Sequence, residues 1–132
     1  MKEKIKNYLK ILSTGRLSRK NHLLSYLIIL AIYLFSLLLL FRIPDIFGKT
    51  IISGIIGLLI ILFQFFLLIF HVSLIIRRSH DFNLHGFWGV ILGLFIPFGF
   101  LYILFKKGDA EANKYGNPPE HKFNFFKIIL NK

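Results

Sequence analysis

Cysteine is absent from the 132 residues, which excludes disulfide bonds, thiolate catalysis and thiolate metal sites. Acidic residues are scarce as well, because 6 Asp and Glu stand against 17 Lys and Arg, for a formal net charge of +11. In a soluble protein this charge would favour a nucleic-acid partner. The sequence contains no nucleic-acid-binding motif, so we predict that nucleic acid is not a partner.

Charge is missing altogether from three long stretches, residues 23–41, 50–76 and 82–105. A helix of about 20 apolar residues crosses a hydrocarbon core of about 30 Å. The first two stretches therefore predict transmembrane helices, the first of them ended by Arg42 and Pro44. With 55% hydrophobic residues and 16 phenylalanines, the chain is expected to be an all-α integral membrane protein.

The third stretch is rich in residues that interrupt helices. It contains Gly86, Gly89, Gly93, Pro97 and Gly99. Such residues are tolerated in membrane helices, but a cluster of them can also split a segment into two halves. We therefore expect a Gly/Pro-broken third segment over 82–105, which is either transmembrane or re-entrant.

Both ends of this single membrane domain, residues 1–132, are basic. Residues 1–22 form an interfacial N-terminus, in which apolar side chains at helical spacing over Met1–Leu12 predict a short amphipathic helix, with a frayed basic tail as the alternative. Ser18 is a suitable N-cap for the next helix. Residues 106–132 form a basic polar tail. The interfacial cations ahead of the first helix are Arg16, Arg19 and Lys20.

The distribution of cations creates a conflict over topology. Seven Lys and Arg precede Leu23, which places the N-terminus in the cytoplasm by the positive-inside rule. If the third segment crosses fully, the tail with its six Lys and Arg lies outside, against the same rule. A segment that turns back at Pro97 and Gly99 returns the tail to the cytoplasm. The sequence favours this arrangement, and a plain three-span protein is the alternative.

Four residues recur along the second helix at every seventh position, and all but the glycine are polar. They are Gly57, Gln64, His71 and Arg78. This spacing places them on nearly one stripe, which we expect to face protein rather than lipid. Gln64 and His71 would then bond to the first or third segment, or to a second copy of the chain. They are either packing polar groups or part of a small transport pathway.

A charged cluster follows the second helix. Arg77 and Arg78 can anchor the helix end at the headgroups, and Asp81 can pair with one of them and cap the following helix. The same residues can instead form a lipid-headgroup site together with the tail. The residues of this candidate site are Arg77, Arg78, His80, Asp81, Asn113 and Tyr115.

Metal binding and catalysis have weak support. His80, Asp81 and His85 do not have a standard ligand spacing for zinc. His80 beside Asp81 could serve as an oriented base, but no nucleophile motif accompanies it. We therefore predict no catalytic residues, no metal and no cofactor. A non-enzymatic protein is favoured over an enzyme.

Several short motifs occur in a specific order along the chain. They are Gly15–Lys20 before the first helix, Arg77–Asp81 after the second, Gly86–Trp88 and Ile96–Gly99 in the third segment, and Asn113–Gly116 followed by Pro118 in the tail. In this combination the chain resembles the domain of unknown function 805 (DUF805) family of small bacterial inner-membrane proteins. Ser79 stands where the family usually has leucine, and Phe87 replaces one of its two tryptophans.

The resemblance implies a bacterial inner-membrane, multi-pass protein and no agreed biochemical activity. Together with the basic ends, it predicts a non-enzymatic accessory, regulatory or lipid-interacting component whose partners include anionic lipid headgroups. A homo-oligomer or a membrane-protein partner is also expected. The alternative is an oligomeric small transporter or channel that uses Gln64, His71 and the third segment.

Overall fold

The computed structural model describes residues 13–119 and 122–130, and within these ranges the chain forms five helices joined by loops. The helices are α1 (Arg19–Phe47), α2 (Ile51–His80), α3 (Gly86–Phe95), α4 (Gly99–Phe105) and α5 (Phe125–Leu130). The amphipathic helix predicted over Met1–Leu12 lies outside the described residues.

Helix α1 is longer than the uncharged stretch that predicts it. It begins at the expected N-cap, Ser18, whose side chain accepts a hydrogen bond from the amide of Asn21. It then continues through Arg42 and Pro44, so the predicted end of the helix is wrong. Proline removes a single backbone donor and here it lies in the last turn, where the remaining hydrogen bonds keep the helix intact.

Helix α2 runs antiparallel to α1. A capping box formed by Thr50 and Ser53 starts it directly after the turn. It extends to His80, four residues beyond the uncharged stretch, because the basic residues of its last turn suit the negative end of the helix dipole. Its contacts with α1 run in reverse order along the two helices, which establishes the antiparallel arrangement.

The outward faces of this helix pair are apolar. Phe35 is 64% exposed, Ile51 84% and Phe65 61%. A soluble protein rarely leaves so much contiguous apolar surface in contact with water. At 29 and 30 residues, both helices are also longer than the roughly 20 residues that a bilayer core requires. The two predicted spans are therefore confirmed as helices long and apolar enough to cross a membrane.

The third segment is broken, as its glycines and proline indicated. Helix α3 ends at Phe95 and α4 begins at Gly99. Between them Phe98 adopts a left-handed conformation with φ 62°. At Gly99 a Cβ atom would lie 2.0 Å from the carbonyl oxygen of Leu92, so only glycine allows the two helices to approach this closely. Helices α3 and α4 thus form a tight helical hairpin.

The hairpin packs against the C-terminal part of α2. Gly89 faces Ser79 so closely that a Cβ atom would lie 1.8 Å from the serine hydroxyl oxygen. Deeper in the hairpin, Gly93 lies against Ile75 and Ile103. The chain leaves α2 at its C-terminal end, runs along it in α3, and returns in α4 to the same end. The tail therefore emerges beside the start of α1.

Helix α5 closes a small apolar core at this end of the molecule. Its Ile128 belongs to one buried cluster with Leu17, Ile29, Leu67 and Leu74. The cluster joins the segment before α1, both long helices and the tail. This core fixes the position of the polar groups that surround it.

Candidate functional site

The buried ionic group of the molecule is built around Asp81, the residue that ends α2. Arg16 reaches it from the segment before α1, and Arg78 reaches it from the last turn of α2. The side chains of both arginines are 0% exposed and that of Asp81 is 5% exposed. We refer to these three residues as the polar junction.

Arg16 connects α2 to the tail. Its Nε and Nη2 atoms donate to the Oδ1 atom of Asp81 at 3.2 and 3.1 Å. Its Nη1 atom donates to the carbonyl oxygens of Glu111 at 2.7 Å and Gly116 at 3.2 Å, and Nη2 donates to that of Asp109 at 2.5 Å. The fixed fork of five donors in a guanidinium suits this many acceptors. Arg16 therefore anchors the tail to the end of α2.

Arg78 connects α2 to the hairpin. Its Nη1 atom donates to the Oδ2 atom of Asp81 and to the carbonyl oxygen of Leu17, the latter at 3.4 Å. Its Nε and Nη2 atoms donate to the carbonyl oxygens of Ile103, at 3.1 Å, and Lys106. The last carbonyls of a helix have no partner within it, so Arg78 also caps the C-terminal end of α4.

Gly108 packs directly on the carboxylate of the junction. A Cβ atom at this position would lie 2.0 Å from the Oδ2 atom of Asp81. The next amide, that of Asp109, donates to the carbonyl oxygen of Asp81 at 2.7 Å. The sequence places both residues in the polar tail, where a glycine followed by an aspartate is a common turn signal, but neither is among the predicted site residues.

His80 is held by the tail on one side and by the N-terminal segment on the other. Its ring stacks on that of Tyr115, with 3.7 Å between centroids and 6° between planes. Its Nδ1 atom donates to the carbonyl oxygen of Gly15 at 3.2 Å. The side-chain amide of Asn113 donates to the carbonyl oxygen of His80 at 3.0 Å. The predicted tail residues Asn113 and Tyr115 thus contact the cluster at His80.

Arg77 lies on a different side of α2 from Arg78. It donates to the carbonyl oxygen of Ile128 in α5, and its own carbonyl oxygen accepts from the amide of Leu17 at 3.0 Å. Arg77 as a whole is 6% exposed. Neither arginine of α2 is thus available at the surface for a ligand.

The structure brings the six residues of the candidate headgroup site to one end of the molecule. Asp81 pairs with Arg78, as expected of one of the two arginines, and also with Arg16, which was expected at the interface. Asp81 does not cap α3, because the side chain of His85 accepts from the amide of Phe87 and performs that role.

The polar stripe of α2 faces its neighbours in the chain. A Cβ atom at Gly57 would contact Leu40 of α1 at 3.5 Å, and Gln64 donates to the hydroxyl of Ser36 at 3.4 Å. The ring of His71 lies 5.3 Å from that of Tyr26. With Arg78 in the polar junction, the whole stripe contacts α1, the hairpin or the segment before α1.

Exposed cations surround a groove of about 500 Å³ next to the polar junction. Arg19, Lys20 and Lys107 line it and are exposed. Asp81 and Asp109 also line it, but the carboxylate of Asp81 is bound by the two arginines and that of Asp109 accepts from Asn113. We refer to this feature as the basic groove. It is where an anion can contact unoccupied positive charge.

The described parts of the chain, 13–119 and 122–130, contain no group of three or more His, Asp or Glu side chains that could hold a metal ion. His80 and Asp81 are neighbours in sequence, but Asp81 faces the two arginines and the ring of His80 faces Tyr115. The pair is therefore not arranged as an oriented base.

The described residues thus form a helical protein in which two long apolar helices could cross a membrane, joined to a broken helical hairpin by a buried ionic junction. A family model described as "Protein of unknown function (DUF805)" matches residues 11–117. The chain therefore belongs to the DUF805 family, in agreement with the resemblance of its motifs. No curated protein and no solved structure matches the chain.

Proposed function

We propose that this protein is a non-enzymatic, lipid-interacting component of the bacterial inner membrane, with its N-terminal segment and its tail both in the cytoplasm. The observation that carries the proposal is the unequal distribution of cations between the two ends of the helix pair. The end of the helix pair that contains the polar junction has ten cations, which are Arg16, Arg19, Lys20, Arg77, Arg78, Lys106, Lys107, Lys114, Lys122 and Lys127. The opposite end of the helix pair has only Arg42, near the end of α1, and Lys49, in the turn that follows.

The hairpin supports a re-entrant third segment. Helix α3 has 10 residues and is therefore about 15 Å long, which is half of a hydrocarbon core of about 30 Å. Helix α4 brings the chain back to Arg78. A tail that starts there stays on the side of the N-terminal segment, which agrees with the positive-inside rule. Phe98 at the break is 80% exposed in the part of the chain that the structure describes, so a re-entrant segment requires a second copy or a membrane-protein partner to cover its irregular backbone.

The contacts of the arginines support a lipid site in the basic groove rather than at Arg77 and Arg78. Both of those arginines are buried and donate to groups of the same chain. Arg19, Lys20 and Lys107 are the cations exposed around one groove, at the start of α1, where the helix dipole also favours an anion. Each cation near an anionic leaflet contributes about 1 kcal/mol of attraction.

Lipid binding by charge-matched variants tests this proposal. The variant Arg19→Gln/Lys20→Gln loses one arginine and one lysine at the basic groove, and Arg42→Gln/Lys49→Gln loses the same pair at the opposite end. Native mass spectrometry of the purified proteins measures how much phosphatidylglycerol they retain relative to phosphatidylcholine. We expect the first variant to bind phosphatidylglycerol roughly thirtyfold more weakly at low salt and the second to bind like the wild type. Equal losses in both variants would contradict the basic groove as the lipid site.

An oligomeric transporter or channel has less support. Gln64 donates to Ser36 of the same chain, and His71 packs against Tyr26. Beyond Gln64, towards the turn between α1 and α2, the stripe continues only with Gly57, which faces Leu40. The polar groups therefore extend from one end of the helix pair to its middle, without a continuation to the other end.

A further inference from the structure

The helix pair has a surface groove of about 460 Å³ between α1 and α2. Most of its walls are formed by leucine, isoleucine and phenylalanine side chains. Four polar residues also line it, and they are Tyr26 and Tyr33 of α1 and Gln64 and His71 of α2. We call it the tyrosine groove.

Three of these polar groups have no hydrogen-bond partner. Within residues 13–119 and 122–130, the hydroxyls of Tyr26 and Tyr33 and the imidazole of His71 make no hydrogen bond, and Gln64 makes one of 3.4 Å to Ser36. In hydrocarbon no water is present to replace a missing partner, so such groups are costly unless another molecule satisfies them.

The position of these polar groups along the helices restricts the chemical class of a molecule that could bind them. Tyr26 lies 7 residues beyond Arg19 and His71 lies 7 residues before Arg78, which is about 10 Å along either helix at about 1.5 Å per residue. Tyr33, at 14 residues from Arg19, lies about 21 Å along α1. Phospholipid headgroups remain at the surface of a core of about 30 Å. The ligand must therefore carry polar atoms in the interior of the bilayer.

A second groove on the same helix pair provides a comparison. It has a volume of about 400 Å³, and Ser36 is the only polar residue that lines it. The hydroxyl of Ser36 already donates to the carbonyl oxygen of Tyr33 and accepts from Gln64. An acyl chain therefore suits that groove, because its one polar side chain already has hydrogen-bond partners. The tyrosine groove differs because it also presents hydrogen-bond donors.

We propose that the tyrosine groove binds an uncharged lipid whose ring carbonyl oxygens accept hydrogen bonds, namely an isoprenoid quinone. The hydroxyls of Tyr26 and Tyr33 and the N–H of a neutral His71 supply donors at two levels of the groove, and a quinone ring has two carbonyl acceptors. The apolar walls suit the ring and the isoprenoid chain. The proposal concerns binding alone, and it rests on the membrane location of the helix pair but not on the basic groove.

Binding of decylubiquinone to the full-length protein in phosphatidylcholine nanodiscs tests the proposal. Titration calorimetry, with empty nanodiscs as the blank, is expected to give saturable binding of one molecule per chain. Tyr33→Phe and His71→Phe are each expected to weaken this binding about tenfold. Tyr102→Phe removes a hydroxyl from an exposed tyrosine of α4 and is expected to bind like the wild type. Non-saturable partitioning, or equal affinities in all four proteins, would overturn the proposal.

A second copy of the chain is the competing occupant of the groove. Because the protein has no cysteine, Leu30→Cys introduces a single reporter into the groove wall. We expect oxidation in membranes to give no disulfide-linked dimer through this residue. A dimer that forms at Leu30→Cys and persists when decylubiquinone is added would mean that protein covers the groove, which would also overturn the proposal. Neither result depends on headgroup binding by Arg19 and Lys20.

Discussion

Asp81 holds together two buried arginines that come from segments 65 and 3 residues away in the chain. One carboxylate does not neutralise two guanidinium groups, and the remaining positive charge is stabilised by carbonyl oxygens of the tail and of α4. Removing one partner from a buried ionic group is far more costly than replacing the whole group, because a charge is left uncompensated.

Asp81→Asn is therefore expected to destabilise the protein strongly. It leaves Arg16 and Arg78 buried without a counter-charge, and the expected cost is about 3–5 kcal/mol. Asp45→Asn is the matched control, because Asp45 pairs with Arg42 at 3.7 Å with both side chains exposed, and such pairs contribute about 0–1 kcal/mol. The loss of stability in both variants is measured by heating the purified proteins in detergent and recording the fraction that stays monodisperse. Similar losses in the two would refute the central role of the junction.

Part of this site was predictable from the sequence because two of its residues are close together in the chain. Arg78 and Asp81 lie three residues apart at the end of a helix, where their pairing follows from helical geometry. The partnership with Arg16 was not predictable, because it depends on how the N-terminal segment crosses the end of α2. The different surroundings of Arg77 and Arg78 depend likewise on the rotation of α2 against the hairpin.

At the scale of elements, the hairpin is the feature that distinguishes this fold from three simple spans. Its closure depends on the contact between Gly99 and the backbone of Leu92, and its packing depends on the contact between Gly89 and Ser79. Small residues allow helices to approach closely in membranes, where packing replaces the hydrophobic effect as the main source of association.

Gly99→Ala is expected to open the hairpin or to destabilise it by about 1–3 kcal/mol, the usual cost of overpacking. The new methyl group would clash with backbone atoms of Leu92, which cannot change rotamer to avoid it. Gly54→Ala is the control, because no atom lies within 4 Å of its Cβ position in α2, and it should stabilise the helix by roughly 0.5–1 kcal/mol. The same detergent unfolding assay applies. Stabilisation by both substitutions would show that the hairpin is looser than described.

The elements themselves were largely predictable. Uncharged stretches indicated both long helices, and the glycines with Pro97 indicated the break between α3 and α4. The ends of the helices were not predictable from charge alone, since charged residues at the membrane surface remain helical, as Arg42 and Arg78 do. The direction of the chain after the break follows from packing contacts with α2, which the sequence pattern does not contain.

At the scale of the whole molecule, the polar junction brings the N-terminal segment, the end of α2, the hairpin and the tail to one place. Arg16 contacts three carbonyl oxygens of the tail, and Arg78 contacts two at the end of α4. All of these contacts require the segment before α1 and the start of the tail to lie on the same side of the membrane. This shared location is the central claim, and the proposed lipid site in the basic groove and the proposed re-entrant third segment both depend on it.

The side of the membrane that Lys132 occupies tests this claim most directly. Fusions after Lys132 to green fluorescent protein, which fluoresces only in the cytoplasm, and to alkaline phosphatase, which is active only in the periplasm, report it. Fusions after Lys49, in the turn between α1 and α2, provide the opposite control. We predict fluorescence and no phosphatase activity at Lys132, with the reverse at Lys49. Phosphatase activity at both positions would mean that the third segment crosses the membrane, and it would contradict the junction on which this fold depends.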